Sequence, residues 1–150
     1  MNGWKICTFV STDNCRITNS ILEQTSHIIE DLVAHNDYGI FIFCRLNDFA
    51  NMCWNVVTRL QQRYPHLKRI YYMSLPCNML DQFLANKHFE EVIRYRHTST
   101  PNLDDLLYQL TMQSNCVICH NAQFSAEISN MIRIKNIQLI NISDKKDTRY

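Results

Sequence analysis

The chain has 150 residues, 46% of them hydrophobic and 19% charged, and its 15 basic and 14 acidic side chains leave a net charge of +1. This composition excludes a disordered chain, and the near-zero balance supplies no global field to draw in nucleic acid or an anionic membrane. The length fits one domain, able to bury roughly 70% of the surface its unfolded chain exposes, while the longest apolar run, Ile40-Phe41-Ile42-Phe43-Cys44, is far too short to span a bilayer.

Trp4 to Val10 is a short apolar run of strand formers. The N-terminus, Met1-Asn2-Gly3-Trp4-Lys5, goes directly into this pattern and lacks the charged-then-apolar layout of a signal peptide, so a cytoplasmic protein is expected. Ile17 to Asn36 places Ile17, Ile21, Ile28, Leu32 and Val33 near helical spacing, with Ser20 and Glu23 set like a capping box in the first turn. Gly39 to Cys44 is apolar on both faces, as a parallel strand between helix layers is. Phe49, Met52, Cys53, Val56, Val57 and Leu60 then form the clearest amphipathic stripe, closed by Tyr64-Pro65. Lys68 to Leu75 reads as a third strand, ended by Pro76. Asn78 to Asn86 reads as a short helix, and Phe89 to Arg94 fits either a strand or a further helical turn. Thr100-Pro101 starts a helix whose buried stripe is Leu103, Leu106, Leu107 and Leu110, with Asp104 and Asp105 near the positive end of its dipole. Cys116 to Cys119 is a strand, Phe124 to Lys135 a helix and Ile137 to Ile142 the last strand. Residues 143–150 read as a charged, frayed tail. Strands alternating with helices predict one α/β domain over residues 1–150: three layers, Rossmann-like, with a mostly parallel sheet of about five strands and Gly39–Cys44 at its centre.

Domains of this form hold phosphates where glycine lets backbone N–H groups approach at strand-to-helix turns. The chain has only two glycines, Gly3 and Gly39. Its turns carry Ser11-Thr12-Asp13, Cys44-Arg45-Leu46-Asn47 and Cys119-His120-Asn121 instead.

The pattern from Cys7-Thr8-Phe9 through the first helix, Ile40-Phe41-Ile42-Phe43, Asp48-Phe49, and Leu60 to Tyr64-Pro65 resembles the small SLOG-type Rossmann-like proteins. The likeness continues through Ser114-Asn115-Cys116-Val117-Ile118 and Ile137–Ile142, covering nearly the whole chain. That family includes DNA-processing proteins and LOG phosphoribohydrolases. Its ligand-facing motifs are replaced here one by one. Ser11, Thr12 and Asp13 stand where members carry Gly-His-Arg. Cys44 and Asn47 stand at the two glycines after the second strand, and Phe49-Ala50 at the Phe-Asp that follows. Leu106-Leu107 falls near the expected Arg-Asn pair and His120-Asn121 near the late Gly-Gly. The resemblance therefore implies a degenerate member that no longer binds the inherited ligand in the inherited way.

Seven cysteines at irregular spacing, without a secretion signal, read as reduced buried thiols and not as a disulfide framework. Cys116-Val117-Ile118-Cys119-His120 matches the c-type haem attachment pattern. Its apolar, β-branched run and the opposite faces of residues three apart favour a buried strand, and no second close-spaced pair completes a zinc site. No cofactor and no metal are expected. A Cys44–His120 nucleophile–base pair is conceivable at the carboxyl edge of the sheet, against a core cysteine and a surface histidine that merely share that edge. Asp13 and Asp48 read as helix caps. Arg94-Tyr95-Arg96-His97 is a local basic run with the default of a solvated loop, and nucleic acid is not expected as a partner.

The site expected from these residues is the carboxyl edge of the sheet, with Ser11, Thr12, Arg45, Asn47, His120 and Asn121 as ligand-binding residues and none assigned as catalytic. The function expected is a non-catalytic binding module for a nucleotide-like ligand or a protein partner. Two other readings compete with it. One is an enzyme acting on a nucleotide or nucleotide sugar, with Arg45 and Asn47 on phosphate and Asp13 or His120 handling protons. The other is a structural or homo-oligomerising protein working through an exposed helix face. No membrane partner is expected.

Overall fold

The computed structural model describes residues 3–12, 16–75, 77–96 and 103–143. In chain order the elements are β1 (Lys5–Ser11), α1 (Asn19–His35), β2 (Tyr38–Phe43), α2 (Asp48–Leu60), β3 (Lys68–Leu75), α3 (Met79–His88), β4 (Glu91–Arg96), α4 (Leu103–Met112), β5 (Cys116–His120), α5 (Ala126–Ile134) and β6 (Gln138–Ile142). The six strands form one sheet in the order β4-β3-β2-β1-β5-β6, and every pairing is parallel. The chain builds outward from β1 to β4, then returns to β5 on the other side of β1. Right-handed crossovers send α1, α2 and α3 to one face and α4 and α5 to the other. The result is a three-layer Rossmann-like α/β domain, and its strand order reverses between β1 and β5.

Alternation along the strands makes two cores. Cys7, Phe9, Phe41, Phe43, Cys116 and Ile118 pack with α1, α2 and Ala85 of α3. Val10, Ile42, Cys44, Val117 and Cys119 pack with Leu106, Leu107, Leu110, Ile128 and Ile132 of the opposite helices. The α2 stripe is buried as its spacing predicts, from Phe49 to Leu60. α4 is described from Leu103, so the expected start at Thr100-Pro101 lies outside the described residues, as do Asp13, His97 and residues 144–150.

The structure corrects three local expectations. The sheet has six strands, not about five, because Phe89 ends α3 and Glu91–Arg96 pairs with β3 as an edge strand, so Arg94, Tyr95 and Arg96 lie in a strand and not in the solvated loop expected of them. The N-cap of α1 is Thr18, whose Oγ1 accepts from the Ile21 N–H at 3.2 Å, and not the Ser20–Glu23 box. Asn47, not Asp48, caps α2. The six described cysteines, Cys7, Cys44, Cys53, Cys77, Cys116 and Cys119, are all free thiols.

Left-handed backbone, ordinarily given to glycine, falls to Asp37, Asn121 and Asn136, with φ of 64°, 52° and 57°. Asparagine and aspartate are the side chains that tolerate this region best. The fold thus manages with two glycines, and Gly39 serves a different need. A Cβ there would lie 2.8 Å from Cγ of Trp4, whose ring stacks on His66 at 4.0 Å.

Candidate functional site

Because β1 and β5 are adjacent and the chain leaves them in opposite directions, the crevice beyond their carboxyl ends is where such a sheet ordinarily takes its ligand. Register sets Ser11 opposite His120 there. Both lie on the α1/α2 side of the sheet, one alternation beyond Phe9 and Ile118.

Asn47 joins the elements around this crevice. Its Oδ1 accepts from the Ala50 N–H at 2.9 Å and caps α2. Its Nδ2 donates to Oγ of Ser11 and to the carbonyl of Thr12, both at 2.8 Å. One buried amide therefore satisfies the helix end and binds the β2–α2 turn to the end of β1. Thr12 extends the latch, because its Oγ1 donates to the carbonyl of Asn121 at 2.7 Å, across the gap between the turns after β1 and β5. Asn121 reaches that position by its left-handed backbone. Phe49, in the first turn of α2, stacks on His120 with ring centroids 5.4 Å apart.

Five of the six expected residues, Ser11, Thr12, Asn47, His120 and Asn121, are thus assembled at one place. Arg45 lies in the same connection, two residues before Asn47, half-buried, with its charge acting on the Cys44 thiol.

Burial lowers the pKa of His120, which favours its neutral ring at neutral pH, and its buried Nδ1 has no hydrogen-bond partner among the described residues. Burial pushes the Cys44 thiol up to about 11, against the lowering effect of Arg45. Cys44 belongs to the α4/α5 core, whereas His120 stacks on Phe49 of the α1/α2 core. The sheet separates them, so they form no nucleophile–base pair. Leu106 and Leu107, at the expected Arg-Asn position, are core residues. The haem-like Cys116–His120 run is strand β5, with Cys116 and Cys119 on opposite faces. Among the described residues no three His, Cys, Asp or Glu side chains gather to hold a metal ion, and no helix is long and apolar enough to cross a membrane.

The helix starts facing this edge are capped by their own sequences. Thr18 caps α1, Asn47 caps α2 and Ser125 caps α5, each through a side-chain oxygen that accepts a first-turn N–H. Sequence reasoning picked out the residues of this edge but missed the latch, since nothing in the string Asn47-Asp48-Phe49 says which way the amide donates.

A second feature lies between α2 and α3. Phe43, Leu46, Trp54, Leu84 and Phe89 line a cavity of about 470 Å³ that also takes in Asp81 and His88. The Trp54 Nε1–H donates to the His88 carbonyl at 3.0 Å, and the Arg69 guanidinium lies 4.7 Å over the Trp54 ring. Below it, Arg69 clasps Glu90 through Nη2–Oε2 at 2.6 Å and Nε–Oε1 at 3.0 Å. No run of motifs marked this cavity in the sequence.

In comparison with known proteins, no family model matches the chain and no curated protein matches its sequence.

Proposed function

We propose that this domain is a non-catalytic, SLOG-like binding module of the cytoplasm, which takes a nucleotide-like ligand or a protein segment at the carboxyl edge of its sheet. The observation that carries the reading is the Asn47 latch: the turns that would cradle phosphate are tied to one another by side chains. Recognition at such an edge falls to Ser11, Thr12, Arg45, Asn47, His120 and Asn121, beside helix starts at which one first-turn N–H is already taken by the cap.

The chemistry of the same groups supports a reading without turnover. A protonated, buried Cys44 is a poor nucleophile. His120, disfavoured as a cation and stacked on Phe49, has no orienting carboxylate among the described latch residues. The enzyme reading therefore ranks second.

Thermal shift with a panel of mononucleotides, cyclic nucleotides and nucleotide sugars, followed by product analysis, tests the proposal. Binding without product, weakened by Arg45→Ala, is the expected result for a nucleotide-like ligand. Release of base or phosphate at a rate lost in His120→Asn would replace the binding reading by the enzymatic one.

A further inference from the structure

The cavity between α2 and α3 has an aromatic floor. Phe43 and Phe89 are buried and meet edge to face at 5.3 Å, with Tyr71 stacked on Phe89 at 5.2 Å. Leu46 and Trp54 stand on the α2 side and Leu84 on the α3 side. The space they leave, about 470 Å³, is within the range of small-molecule sites. Met79, Leu80 and Phe83, which α3 turns to solvent, take no part in it.

The wall of this cavity is fixed in advance. The Trp54 Nε1–H donates to the His88 carbonyl at 3.0 Å, the His88 ring meets the indole edge-on at 5.6 Å, and Arg69 lies 4.7 Å over it. Arg69 is itself held, by two hydrogen bonds to Glu90 and by donation from Nη1 to Oγ1 of Thr58 at 2.6 Å. The end of α3 is thereby tied to α2, and little ordering is left for a ligand to impose.

Charge says what that ligand is. Asp81 lines the cavity and is half-buried, and its charge acts on the Tyr71 hydroxyl and the Cys77 thiol, which places the carboxylate toward the sheet. Arg45 and Arg94 act on the same two groups, but no ion pair among the described residues includes Asp81. A carboxylate in an apolar, aromatic-walled space favours a cation that brings its own apolar body.

We propose that this cavity binds a small organic amine, with its protonated nitrogen on Asp81 and its aromatic body against Phe43, Trp54, Leu84 and Phe89. The amides of Asn51 and Asn55, one helical turn apart on α2 and at the same cavity, can accept further hydrogen bonds from the ammonium. An anionic ligand meets repulsion from Asp81, and a neutral one leaves the carboxylate without a partner. The site does not depend on the carboxyl-edge reading, since none of the six residues assigned to that edge lines it.

Calorimetry on the full chain with three indoles of nearly equal size reads this directly: tryptamine, tryptophol, which carries a hydroxyl in place of the amine, and indole-3-acetate. Tryptamine is expected to bind at about 20–500 µM, tryptophol at least about tenfold more weakly, and indole-3-acetate without measurable heat. Asp81→Asn is expected to bring tryptamine down to the level of tryptophol and to leave tryptophol unchanged. Leu84→Trp, at a partly exposed position, fills the space and is expected to lose both ligands with circular dichroism unchanged. No binding of tryptamine up to about 5 mM overturns the proposal, as does tryptophol binding equally well or tryptamine binding that Asp81→Asn leaves intact. Tryptamine binding that persists in Leu84→Trp and is lost in Arg45→Ala overturns it in favour of the carboxyl edge.

Discussion

The carboxyl edge beside β1 and β5 and the region around α3 handle their side chains in opposite ways. At the edge, polar groups turn inward: Asn47 holds Ser11, Thr12 and its own helix end, and Thr12 reaches across to Asn121. Around α3, apolar groups turn outward, and the helix is seated on the sheet by Ala85. Polar contacts at the first region tie together the turns around the crevice in which such folds take phosphate. Apolar exposure at the second leaves an open apolar surface. The same scaffold therefore carries one locally complete region and one locally incomplete region, and stability should be sensitive at the first and indifferent at the second.

Asn47→Ala breaks the contrast hardest. It removes a helix cap and leaves the buried Ser11 hydroxyl and the Thr12 carbonyl without their donor, so a loss of roughly 3 kcal/mol is expected in urea unfolding. Asn47→Asp retains the cap oxygen and loses only the donors, and should cost about half as much. A loss below ~1 kcal/mol for the alanine variant would mean that the latch is incidental.

Asn121→Ala is expected to cost roughly 1 kcal/mol, because alanine resists the left-handed backbone, whereas Asn121→Gly is expected to be nearly neutral. Equal losses would move the role of Asn121 from its backbone to its amide.

Two pH effects sharpen the account further. At Glu90, burial raises the pKa, but the hydrogen bonds and charge of Arg69, with Gln61, outweigh it and hold the carboxyl below its ordinary value. A depressed carboxylate gives stability that is present above the unfolded value, near 4.3, and is lost as pH falls through the lower folded one. The advantage of the natural protein over Glu90→Gln should therefore shrink across that acid window. At His120 the folded pKa is depressed by burial. Its contribution is present above the unfolded value, near 6.5, and falls away below it as the unfolded chain takes up a proton first. His120→Phe should remove that part of the acid slope, and an unchanged slope would place it on another group.

The smallest effect belongs to α3. Phe83→Ser or Leu80→Ser should change the stability of the monomer by less than about 0.5 kcal/mol, because neither side chain is in the core. A loss of several kcal/mol would mean that α3 is packed within the monomer.

Much of this division was legible in the sequence, for identifiable reasons. The α2 stripe from Phe49 to Leu60 and the apolar run Ile40–Cys44 fixed helix and strand by periodicity, and alternation of the two types gave the parallel three-layer fold. The residues of the carboxyl edge followed from topology, since strand ends in such a sheet converge. The cap at Thr18 was missed because Ser20-Ile21-Leu22-Glu23 offers an equally good local box, and tertiary position chose between them. β4 stayed ambiguous because Val92 and Ile93 serve a strand or a helix alike. The exposure of Met79, Leu80, Phe83 and Leu84 was invisible, because their spacing reads as an inward face and only the seating of Ala85 reverses it.

Calorimetry with a nucleoside, its monophosphate and its diphosphate tests the latch account most directly. A phosphate cradle makes each added phosphate tighten binding steeply, whereas an edge that reads its ligand by side chains gains little from it. The account predicts dissociation constants within about threefold across the series, all near millimolar or weaker, for adenine and guanine alike. Diphosphate binding at least about a hundredfold tighter than the nucleoside, equivalent to roughly 2.8 kcal/mol, would contradict it and show that the edge grips phosphate without glycine.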